Sequence, residues 1–215
     1  MRRSLRVPQI GWNQLHVRVP PTDRPRLADV RARQPGFVEA VRADARLASE
    51  REGDVRAHRG RLGLVRQVLV LTWETDAFGA LVLYRLKTAA LRAGVPVVPR
   101  LAHRLAMSWA QVSIGNPVLV HPGVYLPHGN VVIDGYAEIG PGVRIRPFVT
   151  IGLVDGEFTG PTIGADVRIG TGAKVIGPVV VGAGANIGAN AVVVDDIAPG
   201  ATAVGMPARS LPARP

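Results

Sequence analysis

The sequence predicts a mainly β fold, a parallel β-helix preceded by a small helical region, and three observations carry that prediction. From Ile133 to Val193 an aliphatic residue returns at every sixth position, with Glu157 alone out of phase. Glycine follows that residue at 140, 152, 164, 170, 182 and 188, and a small or β-branched residue comes four places after it, as at Val143, Val149, Val167 and Ala173. A period of six is neither the 3.6 of a helix nor the 2 of a simple strand. Each hexapeptide is instead a short strand and a turn, its aliphatic residue pointing inward onto the coil above. One such unit cannot bury its own apolar side, so only the stack is stable.

The chain has 215 residues, room for one ordinary domain and an appendage. It has no cysteine, which excludes disulfides, a thiolate nucleophile and Cys-ligated zinc. The start, Met-Arg-Arg-Ser-Leu-Arg, is positive, but polar residues from Gln9 to Arg18 interrupt the next stretch before a signal core forms, so a cytoplasmic protein is expected. The formal net charge of +10 is unevenly distributed. Residues 1–111 carry 20 basic and 9 acidic side chains, whereas residues 112–208 carry 4 and 7. The surplus is almost all arginine, with little aromatic interleaving and no recognition motif, which argues against nucleic acid as a partner.

The pattern divides the chain into three regions. Residues 1–66 hold 15 arginines and few large apolar side chains, so they are expected to form an Arg-rich, flexible arm, with one helix over 36–54 carrying Phe37, Val41 and Ala45. Residues 67–111 are expected to form a helical cap. Thr75 can cap a helix from Asp76 that ends at Gly94 and Pro96, and a second helix over Pro99–Trp109 carries Leu101, Leu105 and Trp109 at four-residue spacing. Charged residues divide the apolar stretch 65–84 too often for a membrane span, so none is expected. Residues 112–208 are expected to form the coil.

The coil has two irregularities, and a uniform scaffold places its sites at such departures. The six-residue phase of Ile114, Val120 and Leu126 slips by one residue before Ile133, which puts a bulge beside His128. Residues 153–161 replace strand residues with Asp155, Gly156, Glu157 and Gly160 without losing phase, as a loop projecting from one corner would. His16, His58 and His103 lie outside the coil, which leaves His121 and His128 within it. A histidine at a bulge is suited to be a general base, because its ordinary pKa of about 6.5 leaves the ring able to accept a proton near neutral pH.

The ordered motifs His-Pro-Gly-Val (121–124), Leu-Pro-His-Gly (126–129), Pro-Phe-Val-Thr-Ile-Gly (147–152), Ile-Gly-Thr-Gly-Ala-Lys-Val-Ile-Gly (169–177), Ile-Gly-Ala-Asn-Ala-Val-Val (187–193) and Val-Gly-Met-Pro-Ala-Arg (204–209) resemble the hexapeptide acyltransferases, and most nearly their serine acetyltransferase branch. The resemblance spans about ninety residues. It implies a left-handed coil, a homotrimer, and acetyl-CoA as co-substrate in the groove between subunits. It makes His128 the base, puts Gly152 along the pantetheine arm, places Thr171 and Ala189 where backbone and small side chains touch CoA, and makes Lys174 and Arg209 candidates for its phosphates. It implies no metal.

Three departures from that branch bear on the acceptor. Pro127 stands where the branch has an aspartate before the base, and Phe158-Thr-Gly-Pro161 replaces its charged Asp-Arg-His-Pro run. Leu119 occupies the column of the aspartate that orients the base, which leaves Asp134 and Glu138 as the nearest carboxylates in sequence. With the amino-acid clamp gone, an O-acetyltransferase acting on a sugar or glycan precursor is expected, Asp155 and Glu157 binding its hydroxyls. Serine acetylation is the runner-up. A trimeric scaffold without activity is a third possibility, and a zinc carbonic anhydrase of this coil fold lacks the third imidazole it requires.

Overall fold

The structure, a computed structural model, describes residues 23–53 and 60–211. His16, His58 and the prolines at 8, 20 and 21 lie outside the described residues. Among the described residues five helices, α1 (Arg24–Arg33), α2 (Phe37–Glu52), α3 (Gly60–Glu74), α4 (Phe78–Arg92) and α5 (Val98–Ala110), precede fourteen short strands. The strands wind into a left-handed parallel β-helix with three faces.

Face A stacks β1 (Val112–Ile114), β3 (Val131–Ile133), β6 (Thr150–Gly152), β9 (Lys174–Ile176) and β12 (Val192–Val193). Face B stacks β2 (Leu119–Val120), β4 (Tyr136–Ile139), β7 (Thr159–Ile163) and β10 (Val180–Val181). Face C stacks β5 (Arg144–Ile145), β8 (Arg168–Ile169), β11 (Asn186–Ile187) and β13 (Thr202–Val204), and ends in β14 (Arg209–Leu211), which runs antiparallel to β13.

Strand register shows why the period of six works. Ile133 pairs with Ile151 and Val175 with Val193, so one turn of the coil is 18 residues, three hexapeptides. Ile151 pairs with Val175, 24 residues on, because the loop after β6 adds one hexapeptide to that turn and the phase survives. Ile114 pairs with Ile133, 19 residues on, and this is the slip read from the sequence. Every aliphatic residue of the row from Ile133 to Val193 is at most 3% exposed. Tight corners join the faces. Gly142 takes φ 73° at one of them, and a Cβ there would come within 2.1 Å of the Asp166 carboxylate on the next coil.

The helices close the open first coil. Ala80, Leu81 and Tyr84 of α4 and Ala106 and Ala110 of α5 join one core with Val112, Val118, Val124 and Leu126. The face of α5 turned inward is Ala102, Ala106 and Ala110, and the expected row Leu101, Leu105 and Trp109 is exposed. Alanine wins that face because it lets the helix backbone approach the coil closely. Thr75 does not cap α4. Its hydroxyl donates to the Leu71 carbonyl at 2.7 Å and so closes α3.

From Arg24 onward the expected flexible arm is helical and packed, and the boundary drawn at 66/67 falls inside α3. The cause is a buried ion pair that apolar counting misses. Arg85 Nε donates to Asp44 Oδ2 at 2.8 Å, with both side chains 1% exposed. Arg85 also donates to the carbonyls of Val120 (2.5 Å) and His121 (2.8 Å), while Asp44 Oδ1 accepts the N–H groups of Gly123 (2.8 Å) and Val124 (3.0 Å). Both charges are thus fully hydrogen-bonded, and deleting one partner of such a pair costs about 3–5 kcal/mol. Gln34 and Tyr84 bind the Val118 carbonyl at 2.7 and 2.8 Å, which ties the end of α1 to the same coil.

Candidate active site

The extra residue of the first turn lies between Leu126 and Val131, where the chain passes from face C to face A. Leu126 and Pro127 are buried, His128 is exposed and Gly129 is buried again. Gly129 lies against the C-terminus of α5, and a Cβ there would be 1.8 Å from the Ala110 carbonyl oxygen. The Asn130 N–H donates to that same carbonyl at 2.9 Å, and Asn130 takes φ 59°. A helix end with unsatisfied carbonyls therefore anchors the bulge, and the imidazole is turned outward on a fixed backbone.

Asp76, in the turn between α3 and α4, lies 2.8 Å from His128 through Oδ2 and Nδ1. An ionised carboxylate only accepts, so Nδ1 carries the proton of this bond, and in the neutral ring that leaves the lone pair on Nε2. The imidazole is 53% exposed and Asp76 73%. Such a pair adds little to stability, at most about 1 kcal/mol, and its effect is on orientation and tautomer. Neither carboxylate expected from the sequence does this. Glu138 binds the other coil histidine, its Oε1 lying 2.7 Å from His121 Nε2, and Arg33 grips both its oxygens at 2.7 and 2.8 Å. Burial would raise the Glu138 carboxyl, but the hydrogen bonds from His121 and Arg33 outweigh it and the net shift is downward. Asp134 Oδ1 accepts the N–H of Gly135 at 2.8 Å. Asp76 is 52 residues from His128 in sequence, and its only sequence signal, Thr-Asp before a helix, reads as a cap.

The remaining expected residues are distributed over the rod. Thr171 and Ala189 are exposed at the corners two and three coils beyond His128 on the same edge. At about 4.8 Å per coil they are about 10 and 14 Å along it. Phe148, 57% exposed with φ 64°, lies on this edge between them and His128. Lys174 donates to the Phe148 carbonyl at 2.6 Å, close to that edge. Gly152 ends β6 at the far side of face A, and a Cβ there meets nothing nearer than 3.6 Å, so packing alone does not demand glycine. Arg209 is in the last strand, 3.8 Å from Asp195, with both exposed. Among the described residues no group of three His, Asp or Glu side chains is placed to hold a metal, and no helix is long and apolar enough to cross a membrane.

Residues 160–195 match the family model described as bacterial transferase hexapeptide (six repeats). A serine acetyltransferase of Helicobacter pylori is 39% identical over 136 residues, which cover 61% of this chain and 79% of that protein. The chain belongs to the serine acetyltransferase family. It is thereby an acetyl-CoA-dependent O-acetyltransferase of the hexapeptide type. A second relative, the serine acetyltransferase of Mycobacterium tuberculosis, is 37% identical over 118 residues, half of each chain. The crystal structure of a Neisseria gonorrhoeae serine acetyltransferase in complex with serine superposes with a TM-score of 0.66 at 27% identity, over 85% of this chain and 72% of that one.

These relatives overturn the sugar or glycan acceptor expected from the uncharged 158–161 stretch. The absence of one clamp motif reports where an acceptor is not gripped. It does not report the acceptor's chemistry, because the fold can bring the required charges from other elements.

Proposed function

We propose that this acetyltransferase transfers the acetyl group of acetyl-CoA to the hydroxyl of serine. The observation that carries the proposal is the 39% identity to a relative bearing that name over 79% of its length. His128 is the general base. Its Nε2, left free by the bond from Nδ1–H to Asp76, takes the proton of the serine hydroxyl as the oxygen attacks the thioester carbonyl. The tetrahedral intermediate collapses by breaking the C–S bond, and the imidazolium returns its proton to the departing CoA thiolate. The products are O-acetylserine and CoA.

CoA lies along the edge that carries His128, Thr171 and Ala189, in the groove between two subunits of a homotrimer. Thr171 and Ala189 are small enough there for a thin pantetheine chain to approach the backbone. Lys174 and Arg209 are the cations offered to the phosphates, and Gly152 contributes from the neighbouring face. Residues 112–208 form the transferase unit. The test is an acetyl-CoA turnover assay with L-serine against a panel of monosaccharides and nucleotide sugars. Saturable, serine-dependent release of CoA is expected, with kcat lowered about 10²–10⁴-fold in His128→Ala. Turnover with a sugar and none with serine would refute the acceptor assignment.

A further inference from the structure

Each passage of the chain from face C to face A turns through one residue in the left-handed region. Strand register aligns these residues as a column along the edge, Asn130, Phe148, Gly172 and Asn190, and their φ angles are 59°, 64°, 75° and 56°. Asparagine and glycine adopt that conformation readily, whereas a bulky residue there sets its Cβ against the backbone and strains the turn. At the other corners of the coil the left-handed residues are glycines and Asp166, so among the described residues Phe148 is the exception.

The ring does not recover that cost by packing within its own chain, because Phe148 is 57% exposed. Nor is the turn free to relax and withdraw it. Pro147 fixes the approach, its carbonyl accepts the Gly172 N–H at 2.9 Å, and the Phe148 carbonyl accepts from Lys174 Nζ at 2.6 Å. A strained residue that its surroundings hold in place, with its side chain in the open, points to a contact made outside the chain.

The position of Phe148 says what that contact is. Asn130 comes two residues after His128, and Phe148 is next in its column, about 4.8 Å along the edge. Beyond it the same corners carry Thr171, Gly172, Ala189 and Asn190, all smaller. The groove is therefore narrowed at its reacting end and wider where the rest of CoA lies. An attacking oxygen has to come within about 3 Å of both His128 Nε2 and the thioester carbonyl carbon, which brings the acyl group beside the base and within reach of the ring.

We propose that Phe148 sets the length of the acyl group, its ring closing the space beyond the methyl of acetyl-CoA so that longer chains are rejected. The assignment rests on His128 as the general base, and it goes beyond that reading by naming the residue that selects the donor rather than the acceptor.

The experiment compares acetyl-, propionyl-, butyryl- and hexanoyl-CoA in the unaltered full-length protein and in Phe148→Gly, which takes the left-handed turn without strain. Two readouts are taken, CoA release with L-serine and calorimetric affinity for each thioester without an acceptor. In the unaltered protein kcat/KM and affinity are expected to fall by roughly tenfold or more from acetyl- to butyryl-CoA, and in Phe148→Gly that gap should close by about the same factor. The melting temperature and sedimenting mass of the variant should not decrease. Butyryl-CoA used as well as acetyl-CoA by the unaltered protein, or a gap that persists in Phe148→Gly, would overturn the proposal. So would a variant that melts earlier or dissociates, since the ring would then belong to a packing contact. The affinity gap and its closure, in a protein that releases no CoA with serine or keeps full turnover as His128→Ala, would uphold the role of Phe148 while refuting the reaction proposed above.

Discussion

His128 has a base's freedom because two different contacts divide the work of holding it. The backbone is fixed by Gly129 against the α5 terminus, and the ring by a carboxylate from the α3–α4 turn. Asp76 is therefore a positioning residue, and Asp76→Asn is expected to lower kcat about tenfold or more, part of the ~10²–10⁴-fold a positioned base supplies. KM for both substrates and the melting temperature should stay unchanged, since the pair is exposed and adds little to stability. Steady-state kinetics with a parallel melting curve check this, and a rise in KM at constant kcat would contradict it. Gly129 shows the other half. Its closeness to a carbonyl oxygen makes Gly129→Ala a change that must move the bulge, and with it the imidazole.

At the level of elements, α4 carries the interior polar groups that bind helices to coil. Arg85 reaches the coil with Asp44 of α2 as its counter-ion, and Lys87 reaches the Ile114 carbonyl alone. Lys87 has a pH signature. Its folded pKa is about 7, well below its ordinary 10.5, so between those values the unfolded chain binds a proton that the folded chain does not. Stability then rises with pH through that window, by up to about 1.4 kcal/mol per unit from this group, and the penalty for burying the charge is fully felt below pH 7. Urea unfolding at pH 7, 8 and 9 should show the rise, and Lys87→Met should flatten it. The raised phenol of Tyr84, pushed up to about 12 by burial in the same helix, stays neutral throughout.

Over the whole molecule, a triangular rod keeps its three edges apart, so His128 on one and the loop 153–161 on another cannot meet within a single chain. The homotrimer of the proposed mechanism would give one subunit's edge a neighbour's surface. Sedimentation should therefore return three times the mass of the chain, or a multiple of that. A stable monomer that retains full activity would remove the intersubunit groove from the mechanism.

Much of the coil was legible because its cause is local and periodic. The row from Ile133 to Val193 and the one-residue slip at His128 each appear in strand register where the spacing places them, and the loop over 153–161 leaves the phase intact. The acceptor was misjudged from the loop motif for the opposite reason. A clamp is recognised by particular side chains, and other elements can supply the same charges without leaving a motif. The arm was misjudged because its helices are held by Asp44, Gln34 and Arg33 reaching polar groups of the coil, which an apolar count does not register.

What the sequence by itself determined is the winding: six-residue spacing with inward aliphatics leaves the backbone few other ways to bury them. What only the tertiary structure decided is which distant side chains meet. Asp76 finds His128 across 52 residues and Asp44 finds Arg85 across 41. Periodicity constrains neighbours along the chain, whereas hydrogen bonds and ion pairs depend on how whole helices settle over the first coil, and that is set by the sum of all their contacts.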